Sequence, residues 1–184
     1  MKKRCEWASS EPNISYHDNE WGRPQHEDKK LFEFLILEGA QAGLSWTTIL
    51  KRREGYRKAF SNFDPKLVAT YKQKQISKLL KDESIIRNRL KIKSAINNAV
   101  YFLKVQEEFG TFDKYIWSFV KYQPIKNNFK KISEIPPSTL ISEKMSKDLK
   151  NRGFTFVGPT ICYALMQAIG MVNDHTSECF LHKK

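Results

Sequence analysis

The chain has 184 residues, 40% of them hydrophobic, and its 32 lysines and arginines outnumber 20 acidic residues to give a formal net charge of +12. A chain of this length folds as one domain, or as one domain with a small appendage, and can bury a substantial core. No stretch approaches the ~20 apolar residues of a membrane span, and the basic N-terminus leads into no secretion signal. We therefore expect a cytoplasmic protein whose charge suits a polyanionic partner.

Helical patterns dominate the chain, which favours an all-α fold. Ser45 can cap a helix that starts at Trp46, Asp64 and Pro65 open a short helix, and the longest pattern ends at Gly110. The polar segment 124–137 predicts a loop, and no segment, 154–157 included, predicts a definite strand. The predicted helices cover residues 29–38, 46–50, 65–71, 76–80, 92–109, 112–120, 142–152 and 159–169.

Cysteine and histidine lie at both ends of the chain. The candidate ligands there are Cys5, His17, His175 and Cys179. This is a complete tetrahedral set for structural zinc, and residues four apart, as the last two are, project from one face of a helix. The spacing is not that of a zinc finger, His26 and His182 are alternative ligands, and a buried cysteine with surface histidines is the ordinary interpretation. Cys162 lies in an apolar helix, where an inert thiol is expected.

Aromatic residues cluster in the first quarter of the chain without regular helical spacing. They are Trp7, Tyr16, Trp21 and Trp46. Such a group can wall a stacking pocket, in which the negative faces of the rings also attract a cation. It can equally form part of an ordinary core, and the sequence leaves both interpretations open.

One carboxylate and one leucine stand out beside a predicted helix end. Glu38 lies where the helix dipole disfavours an anion, which hints at function, although a solvated helix-end carboxylate is the simpler interpretation. Gly43 and Leu44 follow on the turn before the next helix. An exposed apolar side chain on such a turn is suited to insertion between base pairs.

The stretch 78–93 is rich in lysine and arginine around a short turn at 83–86. Two helices joined by a tight turn can direct backbone N–H groups and a helix N-terminus toward a phosphate. The usual glycine-rich turn is absent, and an ordinary charged surface explains the same pattern. The candidate contacts with a DNA backbone are Ser84, Ile85, Ile86, Arg87 and Arg89.

Together these motifs resemble one family closely, DNA-3-methyladenine glycosylase type I of the helix-hairpin-helix glycosylases. The resemblance runs through nearly the whole chain. Its blocks are Arg4-Cys5, Tyr16-His17-Asp18-Asn19-Glu20-Trp21-Gly22, Leu37-Glu38-Gly39, Gln41-Ala42-Gly43-Leu44-Ser45-Trp46, Trp117-Ser118-Phe119-Val120, Arg152-Gly153-Phe154, and Asn173-Asp174-His175 with Cys179.

The resemblance implies a single all-α unit over 1–184, a helical bundle with a helix-hairpin-helix element. Terminal segments 1–27 and 159–184 would join through one structural zinc ion and pack on the helical core 28–158. The implied zinc ligands are Cys5, His17, His175 and Cys179. The implied base pocket is formed by Glu38, Tyr16, Trp21, Trp46 and Trp7. Gly43 and Leu44 would fill the gap left in the duplex, and the hairpin would lie at 82–89.

The implied activity is that of a monofunctional DNA-repair enzyme. It would flip 3-methyladenine out of double-stranded DNA and hydrolyse its N-glycosidic bond, leaving an abasic site, as a monomer in the bacterial cytoplasm near the nucleoid. Two departures from the family pattern matter. Asn13 stands where relatives often carry an aromatic residue, and the hairpin lacks glycine. The alternatives are a non-enzymatic zinc module that binds DNA, and a related glycosylase whose selectivity for another alkylated purine depends on Asn13.

Overall fold

The computed structural model describes residues 2–182, and most of them are helical. The mostly helical class is confirmed. The expectation of no strand is wrong, because two very short strands pair, and the first helix was not predicted. The helices are α1 (Asn13–Asn19), α2 (Asp28–Gln41), α3 (Trp46–Ala59), α4 (Pro65–Val68), α5 (Gln73–Leu79), α6 (Arg89–Phe109), α7 (Phe112–Ser118), α8 (Leu140–Asn151) and α9 (Pro159–Ala168).

Side-chain caps fix several of the predicted helix starts. Ser45 accepts a hydrogen bond from the backbone N–H of Thr48, and Asp64 accepts from the first amides of α4. Asn88 caps α6 in the same way, and Gly110 ends it with a φ of +85°. Although α6 spans 21 residues, neither it nor another helix among residues 2–182 has the length and apolar character to cross a membrane.

Helix α2 is the centre of the molecule. All ten residues from Leu31 to Ala40 are buried, and the helix packs against α3, α6, α7 and α9. A helix enclosed on all sides in this way belongs to the core of a protein. It extends one turn beyond the predicted end at Glu38, so this carboxylate lies inside the last turn and not at the helix terminus.

The C-terminal segment is tied to the loop that precedes α8. Strand β1 (Ile125–Lys126) pairs in parallel with β2 (Val172–Asn173), in the register Ile125 to Val172. The fully buried carboxylate of Asp174 then accepts hydrogen bonds from Asn127 (2.7 Å), Tyr163 (2.7 Å) and Gln167 (2.8 Å). These bonds hold the loop, α9 and the segment that carries His175 in one arrangement.

The N-terminal segment is joined to the helices by an ion network around Arg53 of α3. The guanidinium donates to Glu20, just after α1, at 2.7 and 2.8 Å and to Glu33 of α2 at 2.7 Å. Glu33 is almost fully buried and also accepts from Lys30 and Arg57. The network therefore fixes the relative positions of the three helices that begin or end beside the cavity described below.

Replacing Arg53 tests this network. We expect Arg53→Met to lower the free energy of unfolding by about 3 kcal/mol, because the buried Glu33 loses its closest cation. Lys58→Met, which removes an exposed charge from the same helix, is expected to change it by less than about 0.5 kcal/mol. Chemical denaturation of both variants measures the difference. Equal effects of the two substitutions would show that the network contributes no net stability.

Candidate functional site

A cavity of about 510 Å³ opens between α1, α2, α3 and α9. It contains all five residues of the predicted base pocket, since Trp7, Tyr16, Trp21, Glu38 and Trp46 all line it. Apolar walls with a few polar groups are typical of a site for a small organic molecule. The structure thus brings together residues that the sequence spreads over 40 positions of the chain.

The aromatic walls contact one another. The ring centroids of Tyr16 and Trp46 are 5.2 Å apart, and Trp7 lies edge-on to Trp21 at 5.0 Å. Tyr16 and Trp21 are nearly buried, whereas Trp7 and Trp46 are half-buried. Rings fixed by mutual contacts form a preorganised stacking surface, and their faces attract positive charge.

Two buried polar atoms on the walls of this cavity lack partners. Within residues 2–182, neither Oε2 of Glu38 nor the indole N–H of Trp46 forms a hydrogen bond. Burial raises the pKa of Glu38 to about 8. Buried polar groups are normally paired, so an acceptor and a donor left free beside a cavity indicate a site built for a ligand.

Three of the four predicted zinc ligands form a buried cluster. One ligand atom from each of Cys5, His17 and Cys179 lies within 4.8 Å of the others. His17 Nδ1 is 2.9 Å from the carboxylate of Asp18, which Arg4 holds through three hydrogen bonds of 2.9, 3.1 and 2.7 Å. A carboxylate behind an imidazole orients the ring and raises its affinity for a metal.

The fourth predicted ligand lies beside this cluster. The His175 ring is 4.9 Å from that of His17, and its Nδ1 is paired with Asn173 at 2.8 Å. Its buried Nε2 has no hydrogen-bond partner in the described part of the chain. Of the alternative ligands, His26 is exposed and paired with Asp113, and the Nδ1–H of His182 donates to the backbone carbonyl of His175. The donor set therefore fits the predicted zinc better than either alternative.

The cluster of candidate ligands and the cavity have two tryptophans in common. Trp21 lies edge-on to His175 at 4.7 Å and stacks beside His17 at 6.1 Å. Trp7 contacts the His17 ring edge-on at 5.4 Å. The two tryptophans thus line the cavity and also pack against the candidate ligands His17 and His175. The positions of these ligands therefore help to fix this wall of the pocket.

The turn after α2, residues 42–44, carries Leu44, the side chain predicted to insert between base pairs. We call Leu44 the wedge and this segment the wedge turn. Gly43 has a φ of +76° and open space where a side chain would project, and Leu44 is 39% exposed. The amide of Leu44 closes the turn on the carbonyl of Gln41 at 2.6 Å. Because Gln41 also lines the cavity, the wedge turn begins at the wall of the pocket.

The predicted DNA-backbone segment covers the turn between α5 and α6 and the first residue of α6, and three of its amides are already engaged. Those of Ser84 and Ile85 donate to Asp82, and that of Ile86 donates to the hydroxyl of Tyr56. The side chain of Ile85 is buried, which leaves no role for it in a surface contact. Arg87 and Arg89 are exposed. Contact with DNA from this segment stays a prediction that now depends mainly on the two arginines.

Several cavity residues were not identified from the sequence as members of the site. Two isoleucines of the loop after β1 reach the cavity, although they lie in a polar stretch; isolated apolar residues there were the available signal. Asn13, noted only as a departure from the family pattern, donates to Thr47 at 2.9 Å. The missed lining residues are Gln41, Thr47, Ile132, Ile135, Ala164 and Gln167.

The buried carboxylate predicts a pH-dependent stability. Because Glu38 has its pKa raised from 4.5 to about 8, the folded protein keeps a proton that the unfolded chain releases. Its contribution to stability is therefore complete below about pH 4.5 and declines up to about pH 8.

We expect Glu38→Gln to gain stability over the wild type across this interval, at most ~1.4 kcal/mol per pH unit. Urea denaturation at several pH values measures the gain. Glu27→Gln, an exposed change on the turn before α2, serves as the matched control. A difference between Glu38→Gln and the wild type that is constant with pH would contradict the raised pKa.

Comparison with known proteins identifies the family. The model of the family described as methyladenine glycosylase matches residues 7–182. DNA-3-methyladenine glycosylase 1 of Escherichia coli (strain K12) is 51% identical over 178 residues, 96% of this chain and 95% of the relative. A crystal structure of 3-methyladenine DNA glycosylase I has a TM-score of 0.94 at 49% identity, covering 98% of this chain and 100% of that one. A structure of the Staphylococcus aureus 3-methyladenine DNA glycosylase I, concerned with recognition of 3-methyladenine, has a TM-score of 0.94 at 35% identity and covers 98% and 96%. The chain belongs to the methyladenine glycosylase family.

Proposed function

We propose that this protein removes 3-methyladenine from alkylated double-stranded DNA by hydrolysing the N-glycosidic bond, which leaves an abasic site. The observation that carries the proposal is the buried Glu38 with an unpartnered oxygen inside an aromatic cavity. The activity named for the Escherichia coli relative and the ligand named for the Staphylococcus aureus structure support it.

The chemistry follows from the charge of the lesion. Methylation at N3 makes adenine cationic and weakens its glycosidic bond, so the base departs neutral and needs little help from an acid. The aromatic walls attract the cation, and the free oxygen of Glu38 accepts a hydrogen bond from the base. A cationic base also favours the ionised form of Glu38, which burial disfavours in the free protein.

The composition of the cavity supports a monofunctional reaction. Among the described residues that line it, Glu38 is the one carboxylate, and no lysine is present. Ordinary glycoside hydrolysis uses two carboxylates, which a leaving group already activated by alkylation does not require. The described lining of the cavity thus supplies no lysine amine that could attack the sugar and cleave the DNA strand.

Engagement of duplex DNA is the second part of the proposal. The target base must leave the stack, at a cost of a few kcal/mol. Leu44 is exposed beside the cavity and would fill the resulting gap, while Gly43 leaves room for the DNA. We infer that α5, the turn after it and α6 form the helix-hairpin-helix element, which would approach the phosphates with Arg87 and Arg89.

Incubation with methylated duplex DNA, followed by chromatography of the released bases, tests the proposed function. Free 3-methyladenine is the expected product, and DNA strands should stay uncut until alkali is added. Release of a different alkylated purine would instead assign the selectivity to the altered wall around Asn13 and Thr47. Binding without any release would support a non-enzymatic DNA-binding module.

Glu38→Gln tests the role assigned to the carboxylate. We expect single-turnover excision to fall roughly 10- to 100-fold, because a hydrogen bond to a charged group is lost. Affinity for undamaged duplex should stay unchanged, since the side chain is buried. Glu27→Gln, with the same charge change at an exposed position of the chain, should excise normally. Wild-type turnover by Glu38→Gln would overturn the assigned role.

We also propose that the cluster at the chain ends holds one structural zinc ion. The ligands would be Cys5, His17, His175 and Cys179, a set that leaves no open position for an activated water. Burial lowers the pKa of His17 and lowers that of His175 to about 3, which keeps both imidazoles in the neutral form that binds metals. The ion would stabilise the fold and take no part in bond cleavage.

Metal removal tests this site. Elemental analysis should find one zinc ion per chain, and a strong chelator should lower both the melting temperature and the rate of excision. Readdition of zinc should restore both. Cys5→Ala should lose the metal, whereas Cys162→Ala, which removes the cysteine buried in α9, should keep it. A zinc-free preparation with full thermal stability would contradict the proposal.

A further inference from the structure

The ammonium group of Lys91 binds two backbone carbonyls at the end of α2. It donates to the backbone carbonyl of Ala40 at 2.8 Å and to that of Ala42 at 2.7 Å. In the described part of the chain it forms no ion pair with a carboxylate. The side chain is half-buried, and desolvation lowers its pKa. Lys91 is thus committed to the carbonyls at the end of α2, which have no partner within that helix.

The two carbonyls enclose the junction between the cavity and the wedge turn. Between them lies Gln41, whose side chain lines the cavity and whose carbonyl accepts the hydrogen bond that closes the turn on Leu44. Glu38 belongs to the same helical turn. A shift of either carbonyl would therefore move the leucine relative to the carboxylate, which the preceding turns of α2 hold in place.

Lys91 also belongs to the first turn of α6, directly after the basic segment. Asn88 caps this helix and accepts a hydrogen bond from the amide of Lys91 at 3.1 Å. The residues just before the cap include the exposed Arg87, which the proposed function places near a phosphate. Lys91 consequently connects the segment that would hold the DNA backbone to the turn that would enter the duplex.

We propose that Lys91 is a positioning residue that fixes the wedge turn 42–44 relative to the base pocket. It acts through the backbone and touches neither the base nor the reacting bond. The inference rests on the proposed excision activity. An exposed lysine of the basic stretch 78–93 that contacts phosphate would have a different effect. It would change the affinity for any duplex, with or without a lesion.

The test compares Lys91→Met with Lys93→Met. Both variants lose one positive charge from α6, but Lys93 is exposed and two residues away, so it controls for the general effect of charge. Three quantities are measured with zinc-loaded full-length protein: single-turnover excision of 3-methyladenine at saturating enzyme, affinity for duplex containing a stable abasic-site analogue, and affinity for free 3-methyladenine.

We expect Lys91→Met to reduce excision and abasic-site affinity by roughly 5- to 30-fold relative to Lys93→Met, the effect of about two lost hydrogen bonds. Binding of free base and of undamaged duplex should match the control. Equal excision by the two variants would overturn the inference. An equal loss on undamaged and abasic duplex would assign Lys91 to a phosphate contact instead.

A double-mutant cycle with Leu44→Ala asks whether Lys91 acts through the wedge. In that background, Lys91→Met should lower excision by less than about twofold, because the side chain that it positions is already absent. Additive losses would contradict this route.

If Lys91→Met is too unstable to purify, Lys91→Gln, which keeps one donor, enters the same assays. Failure of the wild type to release 3-methyladenine would refute the proposed function, whereas wild-type excision with an unaffected Lys91 variant refutes this inference alone.

Discussion

The burial of two glutamates on the central helix determines both how the neighbouring helices are joined and which charge the cavity presents. Glu33 and Glu38 both lie inside α2, but their surroundings shift their pKa values in opposite directions. Burial opposes ionisation of Glu33, yet Arg53 and Lys30 hold its pKa below the usual value, and the network, which also includes Arg57, joins the helices. Among residues 2–182 no cation offsets the burial of Glu38, which raises its pKa to about 8. The carboxylate of Glu33 contributes to the fold. The carboxylate of Glu38 is buried without a cation among residues 2–182, and a cationic ligand can favour its ionised form.

The junction of the chain ends serves the pocket as well as the fold. His17 and His175 pack against Trp7 and Trp21, which form one wall of the cavity. His17 directly follows Tyr16, another residue of the cavity wall, and the contacts with the two tryptophans add a second connection between the histidines and the cavity. Asp174 extends it, because its carboxylate binds both α9 and the loop that carries Ile132 and Ile135. Contacts made by the chain ends therefore fix two walls of the cavity, the one formed by the tryptophans and the one formed by α9 and the loop.

The features that the sequence predicted are those encoded locally or carried by side-chain chemistry. Ser45 and Asp64 cap helices because the cap and the amides it satisfies are close in sequence, and the aromatic residues and Glu38 are unusual enough to be noticed. Contacts across the chain left no such signal. Ile132 enters the cavity because β1 pairs with a strand 47 positions away, and Asn13 faces Thr47 because α1 packs beside α3. The sequence predicts free amides in the 83–86 turn, but Asp82 accepts hydrogen bonds from those of Ser84 and Ile85, and Tyr56 accepts one from that of Ile86.

The last turn of α2 combines two tasks that base excision must coordinate. Glu38 faces the cavity, and Leu44 stands at the surface six residues later, so one short piece of backbone would contact both the extruded base and the gap that it leaves. A helix end normally frays, because its last carbonyls lack partners. Here a lysine from another helix supplies the missing donors. Under the proposed function, rigidity at this point would matter, because the extruded base would stay in the pocket only while Leu44 filled the gap, and a displacement of the turn would open that gap.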